Sequence, residues 1–334
     1  MTLLFCDGFD HVAVGDVTSK YNLVSLSGAS IVTGRLSGNC LKIINNATLQ
    51  KSFTATASFI VGFAMKLDLL PTSVVNLITV KDGAVIHNGV AMLPSGQLFV
   101  WKGTNATILT SVAPGPYLQA STWYYLEFKV TIADSIGAGT CKIAIDGVDA
   151  LVVNTAQDTR NAGNDTCDSV IVSGPVLFTY IDDLYIDNGT AFLGDCKVQT
   201  FFPTGNGNAN NFVGSDSNST DNYLLVDEAT PATADYVESA TPNDVDLYNF
   251  DAISPAPTTI HGVQTNAYIE RTDTGARTFA DVCRSSGTNY PGDTKTPSGG
   301  SYNYQTQMRT ANPAGGAWDA TGFNAAEFGV KVIA

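Results

Sequence analysis

The chain has 334 residues, 44 % hydrophobic and only 14 % charged, with a formal net charge of −14. That length and apolar content allow two domains with real cores. The acidic balance leaves no electrostatic footprint for nucleic acid or an anionic membrane, and no apolar run is long enough to cross a bilayer.

So few charges leave Thr, Ser, Asn and Gly to cover the surface, which suits an extracellular or virion protein better than a cytosolic enzyme. Of 31 acidic residues only Glu127, Glu228, Glu238, Glu270 and Glu327 are Glu. The Asp bias points to turns and β structure. The opening Met1–Val12 lacks the basic start, long apolar stretch and cleavage site of a signal peptide, so synthesis in the cytoplasm is expected. Six cysteines show no C-x-x-C spacing, which argues against zinc. Free buried thiols and disulfides both remain open.

Residues 1 to about 190 read as short strands. Ser58–Leu69, Val75–Gly83, Gly96–Gly103, Trp123–Asp134, Thr140–Leu151 and Asp168–Gly174 are rich in β-branched and aromatic residues and are separated by Gly, Asp and Pro signals. In Trp123–Asp134, the row Tyr124, Leu126, Phe128, Val130, Ile132 is expected to face a core, with Tyr125, Glu127, Lys129 and Thr131 opposite. No segment sustains a helical period. Many short strands imply a sandwich or jelly roll.

The stretch Val176–Pro203 is a strand interrupted by adjacent Asp182 and Asp183. Neighbouring residues of a strand point to opposite faces, so one carboxylate is expected to enter the apolar row Phe178, Tyr180, Leu184, Ile186. Such a group must be hydrogen-bonded, paired or on a metal. From Thr204 to Asp246 the chain turns polar and reads as an extended linker or arm. From Leu247 strands return: Ile260–Asp273 and Ala276–Gly287 across a Thr-Gly turn, Tyr302–Ala311, a helical turn Asp319–Ala326 and a final strand Phe328–Ile333. The predicted organisation is a jelly roll over 1–195, a polar arm over 196–246 and a smaller β-rich domain over 247–334.

Catalytic patterns are sparse. The E-x-D-x-x-E pair of sandwich glycosidases is absent, because Glu127 is the only Glu of the first domain. No G-x-S-x-G elbow or phosphate loop occurs, and His11, His87 and His261 lie in unrelated segments. The chain is therefore expected to be no enzyme. A structural Ca²⁺ is the only cofactor expected. It would join the first and last strands of the jelly roll through Asp7, Asp10, Asp182 and Asp183, unless those aspartates simply accept backbone hydrogen bonds. Aromatic residues on a concave sheet face stack on sugars, which makes Trp101, Trp123 and Tyr124 candidates for a glycan site, with Tyr117 and Tyr125 nearby. The competing reading is that these rings are core.

In order along the chain, Asp7–His11, Leu93–Gly103, Trp123–Gly147 and Tyr180–Gly207 resemble the LamG-like, concanavalin A-like jelly rolls of tailed-bacteriophage virion proteins. Asn222–Ala229, Ala234–Ser239, Ile260–Arg277 and Ala317–Ile333 extend the resemblance over nearly the whole chain. It implies a structural component of a virion, in the tail, neck, collar or baseplate or decorating the head. It implies partners among other virion proteins, with host-surface glycan as a further partner, and supplies no catalytic residues. Virion parts follow rings and lattices, so a homo-oligomer is expected.

Overall fold

The computed structural model describes residues 2–26, 28–44, 47–103, 107–109, 117–134 and 138–334. The chain divides into two compact units. The first comprises residues 1–10 and 21–199, the second residues 11–20 and 200–334.

The first unit is an antiparallel β-sandwich. One sheet runs, edge to edge, through Val148–Gln157, Gly139–Ile145, Trp123–Thr131, Ser58–Leu67, Thr179–Asp187, Asn39–Ile43 and Ser30–Thr33, and Leu3–Asp7 also pairs with Thr179–Asp187. The other runs through Thr107–Ile108, Leu98–Lys102, Val85–Met92, Val75–Asp82, Cys167–Ser173, Thr48–Thr56 and Leu23–Ser25. Contacts between the sheets include Phe53 against Phe59, ring centroids 5.6 Å apart, and Lys51 Nζ 4.1 Å from the centre of the Phe5 ring. Leu126, Phe128, Val130 and Ile132 are buried, as the alternation predicts, whereas Tyr124 of the same row is only half-buried.

The opposite row differs from expectation. Tyr125 and Glu127 are also fully buried, although they lie on the outer face of their sheet. An irregular strap, residues 188–198, crosses that face: the Gly194 N–H donates to Glu127 (2.9 Å), the Leu193 N–H to the Tyr185 hydroxyl (3.3 Å), and Lys129 to the Thr190 carbonyl (2.5 Å).

The second unit is built on the sheet Pro203–Asn210, Val245–Phe250, Glu327–Val332, Phe279–Ser285, Thr288–Pro291. The segment read as an arm over 196–246 thus contributes an edge strand. Its apolar poverty is offset by polar anchoring: buried Asp246 accepts from the Phe212 N–H (2.9 Å) and Asn222 (2.6 Å), and Glu327 accepts from the Asn208 N–H (2.7 Å). Val263–Ile269 pairs with Asn303–Arg309 rather than with Phe279–Ser285, because the latter is taken by Glu327–Val332 and by its own hairpin partner Thr288–Pro291. Residues 11–20 join this unit, where Tyr304 donates to the His11 carbonyl (2.7 Å). Trp318, Phe323 and Phe328 form its core beside Cys283. The helix Ala320–Asn324 starts at Asp319, whose carboxylate caps the Gly322 N–H (2.6 Å).

Candidate functional site

The outer face of the eight-stranded sheet is organised by one irregularity. Thr179–Asp187 pairs with Asn39–Ile43 through residues 179–181 and with Leu3–Asp7 through residues 184–187. The expected pairing of first and last strands is therefore present, but the partner on that edge changes halfway. Asp182 and Asp183 occupy the gap. Against Ser58–Leu67 the register moves from Asp182–Ala64 to Tyr185–Gly62, so three residues are used where the partner uses two. The extra residue is Asp183, with φ of 51°, a left-handed bulge that Asp tolerates better than most side chains. The bulge splits the expected apolar row: Leu184 and Ile186 continue inward, whereas Tyr180, Asp182, Tyr185 and Asp187 share the outer face with Trp123, Tyr125 and Glu127.

Backbone donors that lose a ladder partner at this seam are taken by carboxylates. Asp182 accepts from the N–H groups of Arg35 and Asp183, both at 2.8 Å, and Asp183 from that of Val198 at 2.8 Å. Asp10 accepts from the Asn39 N–H (2.6 Å). Asp7 accepts from the Phe9 N–H (3.0 Å) and the Tyr21 hydroxyl (2.9 Å). Arg35 completes the network with Asp183 (3.2 Å), Asp195 (2.6 Å) and the Cys196 carbonyl (3.0 Å), and its guanidinium lies 5.2 Å from the Tyr125 ring centre. Of the expected calcium ligands, Asp10, Asp182 and Asp183 interact, while Asp7 pairs with Leu184 on the inward side. Among the described residues no group of three or more His, Cys, Asp or Glu side chains is gathered as a metal site requires. Burial, with Asp183 beside it, pushes the Asp182 carboxyl up to about 7; burial raises Asp183 as well.

Below the seam Tyr185 lies flat on Gly62, where any Cβ would meet its ring at 2.1 Å. It stacks on Tyr125 at 6.5 Å and donates to Glu127. Glu127, raised by burial, also lines a cleft of about 370 Å³ with Lys129, Lys142, Asp149, Thr190 and Phe192. The sequence shows Glu127 as a solitary carboxylate. Its partners lie 58 and 67 residues away, so spacing could not reveal them.

On the same face, one row beyond Tyr125, Ala64 and Asp182, lies a row that makes none of the strap contacts given above. Register places Trp123 opposite Lys66, Lys66 opposite Tyr180, and Tyr180 opposite Lys42. Rings and ammonium groups alternate over four strands. Lys66 Nζ is 4.0 Å from the Tyr180 ring centre and 5.3 Å from that of Trp123. Lys42 Nζ is 3.8 Å from Phe178 and 5.6 Å from Tyr180. Trp123 and Tyr180 meet edge to face at 6.2 Å, and Tyr180 donates to Asp68 (3.3 Å). All four side chains of the row are half-buried.

The three glycan candidates therefore separate. Trp123 belongs to this row. Tyr124 points to the other side of its strand, where its hydroxyl accepts from the Gln119 N–H (3.2 Å). Trp101 is 1 % exposed, packed with Ala91 and Phe99 and seated on Gly89, so its ring is core. Sequence reasoning missed Lys42, Lys66 and Tyr180, whose alignment with Trp123 appears only once the register of four strands is known.

No family model and no curated protein matches the chain. Solved structures do. A sialidase is similar over 56 % of this chain and 18 % of its own, at 12 % identity and TM-score 0.39. An alginate lyase mutant in complex with an alginate tetrasaccharide is similar over 57 % of this chain and 95 % of its own, at 10 % identity and TM-score 0.39. Domain 4 of an extracellular arabinanase from Geobacillus stearothermophilus, in complex with arabinotriose, is similar over 57 % and 94 %, at 17 % identity and TM-score 0.41. The match thus spans about a fifth of that sialidase's length. At these identities the likeness concerns the β-sandwich fold. One expectation is corrected: against the sequence expectation of a chain that is no enzyme, the solved structures similar to it are a sialidase, an alginate lyase and a domain of an arabinanase. The sequence argument rested on the absence of local motifs (E-x-D-x-x-E, G-x-S-x-G, a phosphate loop) and on three scattered histidines, and a fold that brings distant residues together is not bound by spacing.

Proposed function

We propose that the sandwich unit recognises glycans through the row Trp123, Lys66, Tyr180, Lys42. The observation that carries this reading is the row itself: two half-buried rings and two cations aligned across four strands, outside the strap. Rigid aromatic faces present large amphipathic contact area at small entropic cost, which suits the C–H faces of sugars. The test is affinity electrophoresis of the full chain through gels containing neutral or acidic polysaccharides. At least one polysaccharide is expected to retard the protein, with retardation falling roughly tenfold in Trp123→Ala. Trp123→Ala should keep the native circular dichroism spectrum. Equal retardation of the variant, or none across the panel, contradicts the reading.

The setting proposed for this module is a tailed-phage virion. The chain would be a structural component of the tail, neck, collar or baseplate, held by protein–protein contacts as a homo-oligomer after synthesis in the host cytoplasm. Support comes from the sequence resemblance and from the sparsely charged surface. Antibody labelling of intact particles in electron microscopy tests it: label at one defined position is expected, and unlabelled particles contradict it.

A further inference from the structure

The row holds a charge pattern that generic sugar stacking does not need. The chain has only 17 Lys and Arg against 31 acidic residues. Arg35, Lys102, Lys142, Arg160, Arg277 and Lys295 are all within 4 Å of a carboxylate. Lys42 and Lys66 make no such pair among the described residues; their ammonium groups rest against Phe178, Tyr180 and Trp123. Ring contacts restrain a flexible lysine without neutralising it, so the cost of ordering it for an anion is already met.

The spacing is set by the sheet. Lys66 and Lys42 flank Tyr180 on successive strands, so their attachment points lie two strand spacings apart, about 10 Å. That separation is close to the length of a disaccharide. A net charge of −14 repels densely charged polyanions, and Asp68 at the Tyr180 hydroxyl adds to this at the row itself. The complementary ligand is therefore a polymer with sparse, regular anions and an uncharged ring between them.

Resting on the glycan reading above, we propose that the row selects an acidic polysaccharide bearing one carboxylate per disaccharide. Two carboxylates engage Lys42 and Lys66, and the intervening sugar lies against Tyr180.

Isothermal titration calorimetry of the full chain tests this with three probes: hyaluronan, its carboxyl-reduced neutral form, and polygalacturonate, which is charged at every unit. Hyaluronan is expected to bind roughly tenfold tighter than the reduced polymer, the sum of two modest ion pairs. The preference should shrink with added salt and vanish in the Lys42→Gln, Lys66→Gln double variant. Trp123→Ala should weaken both polymers alike. Equal affinity for native and reduced polymer, still lost in Trp123→Ala, overturns the charge selection and leaves the glycan reading standing. Tighter binding of polygalacturonate overturns the spacing. Hyaluronan preference retained in the double variant overturns the role of the lysines. Absence of binding to all three, or binding indifferent to Trp123→Ala, overturns the glycan reading as well.

Discussion

Asp182 shows how far a single residue could be read in advance. Two adjacent aspartates in a β-rich stretch announce that something other than apolar packing satisfies them. Asp182 accepts from the neighbouring Asp183 N–H and from the Arg35 N–H, 147 residues distant, and Asp183 accepts from Val198 and Arg35; nothing local encodes the distant partners. The Asp182 carboxyl carries a pH dependence. Its pKa rises from 3.8 to about 7 on folding, through burial and then the neighbouring Asp183. The folded state therefore holds a proton that the unfolded chain has released. Stability from this source is full below pH 3.8 and is lost as pH rises through 7. Asp183, Glu127 and Asp246 are shifted upward too, whereas His87, lowered by burial, opposes them in acid. Denaturant titrations of wild type and Asp182→Asn at pH 5 and pH 8 separate these contributions. The variant loses one of two backbone bonds and is weaker at both pH values. The wild-type advantage is expected to be larger at pH 5 than at pH 8. An advantage that grows with pH contradicts the raised pKa.

Single elements were most legible where one face met a core. The alternation of Trp123–Thr131 identified Leu126, Phe128 and Val130 correctly, because burial between two sheets imposes period two. It placed Tyr125 and Glu127 on the opposite face correctly but missed their burial: a strap with no periodic signature bonds to Glu127, and Tyr185 and Arg35 pack on Tyr125. The exchange of Asn39–Ile43 for Leu3–Asp7 beside one strand is likewise a property of pairing rather than of composition. At that seam, backbone N–H groups bond to the aspartates for which the sequence argument weighed calcium against backbone donors. Treatment with EDTA is accordingly expected to leave Tm unchanged. A fall in Tm reversed by added Ca²⁺ would show that Asp10, Asp182 and Asp183 also hold the cation.

For the whole molecule, composition correctly gave an all-β chain, and turn signals located about half of the strands, missing Thr48–Thr56 and Val85–Met92 among others. The division into units was harder to read. Residues 196–246 look like a linker because they have few apolar side chains, yet they fold by polar anchoring to Asp246 and Glu327. Residues 11–20 join the second unit although they lie near the start of the chain. The proposed binding row has the same character: Trp123 could be singled out by type, but Lys42, Lys66 and Tyr180 gain meaning only from the assembled sheet. Its three tryptophans offer a direct probe of that row, since Trp101 and Trp318 are 1 % and 3 % exposed whereas Trp123 is half-buried. Acrylamide quenching of the full chain, measured during titration with a bound polysaccharide, reports on Trp123 above the others. The expected result is saturable protection from quenching that disappears in Trp123→Phe. Saturable binding with unchanged quenching would place the ligand elsewhere and contradict the assignment.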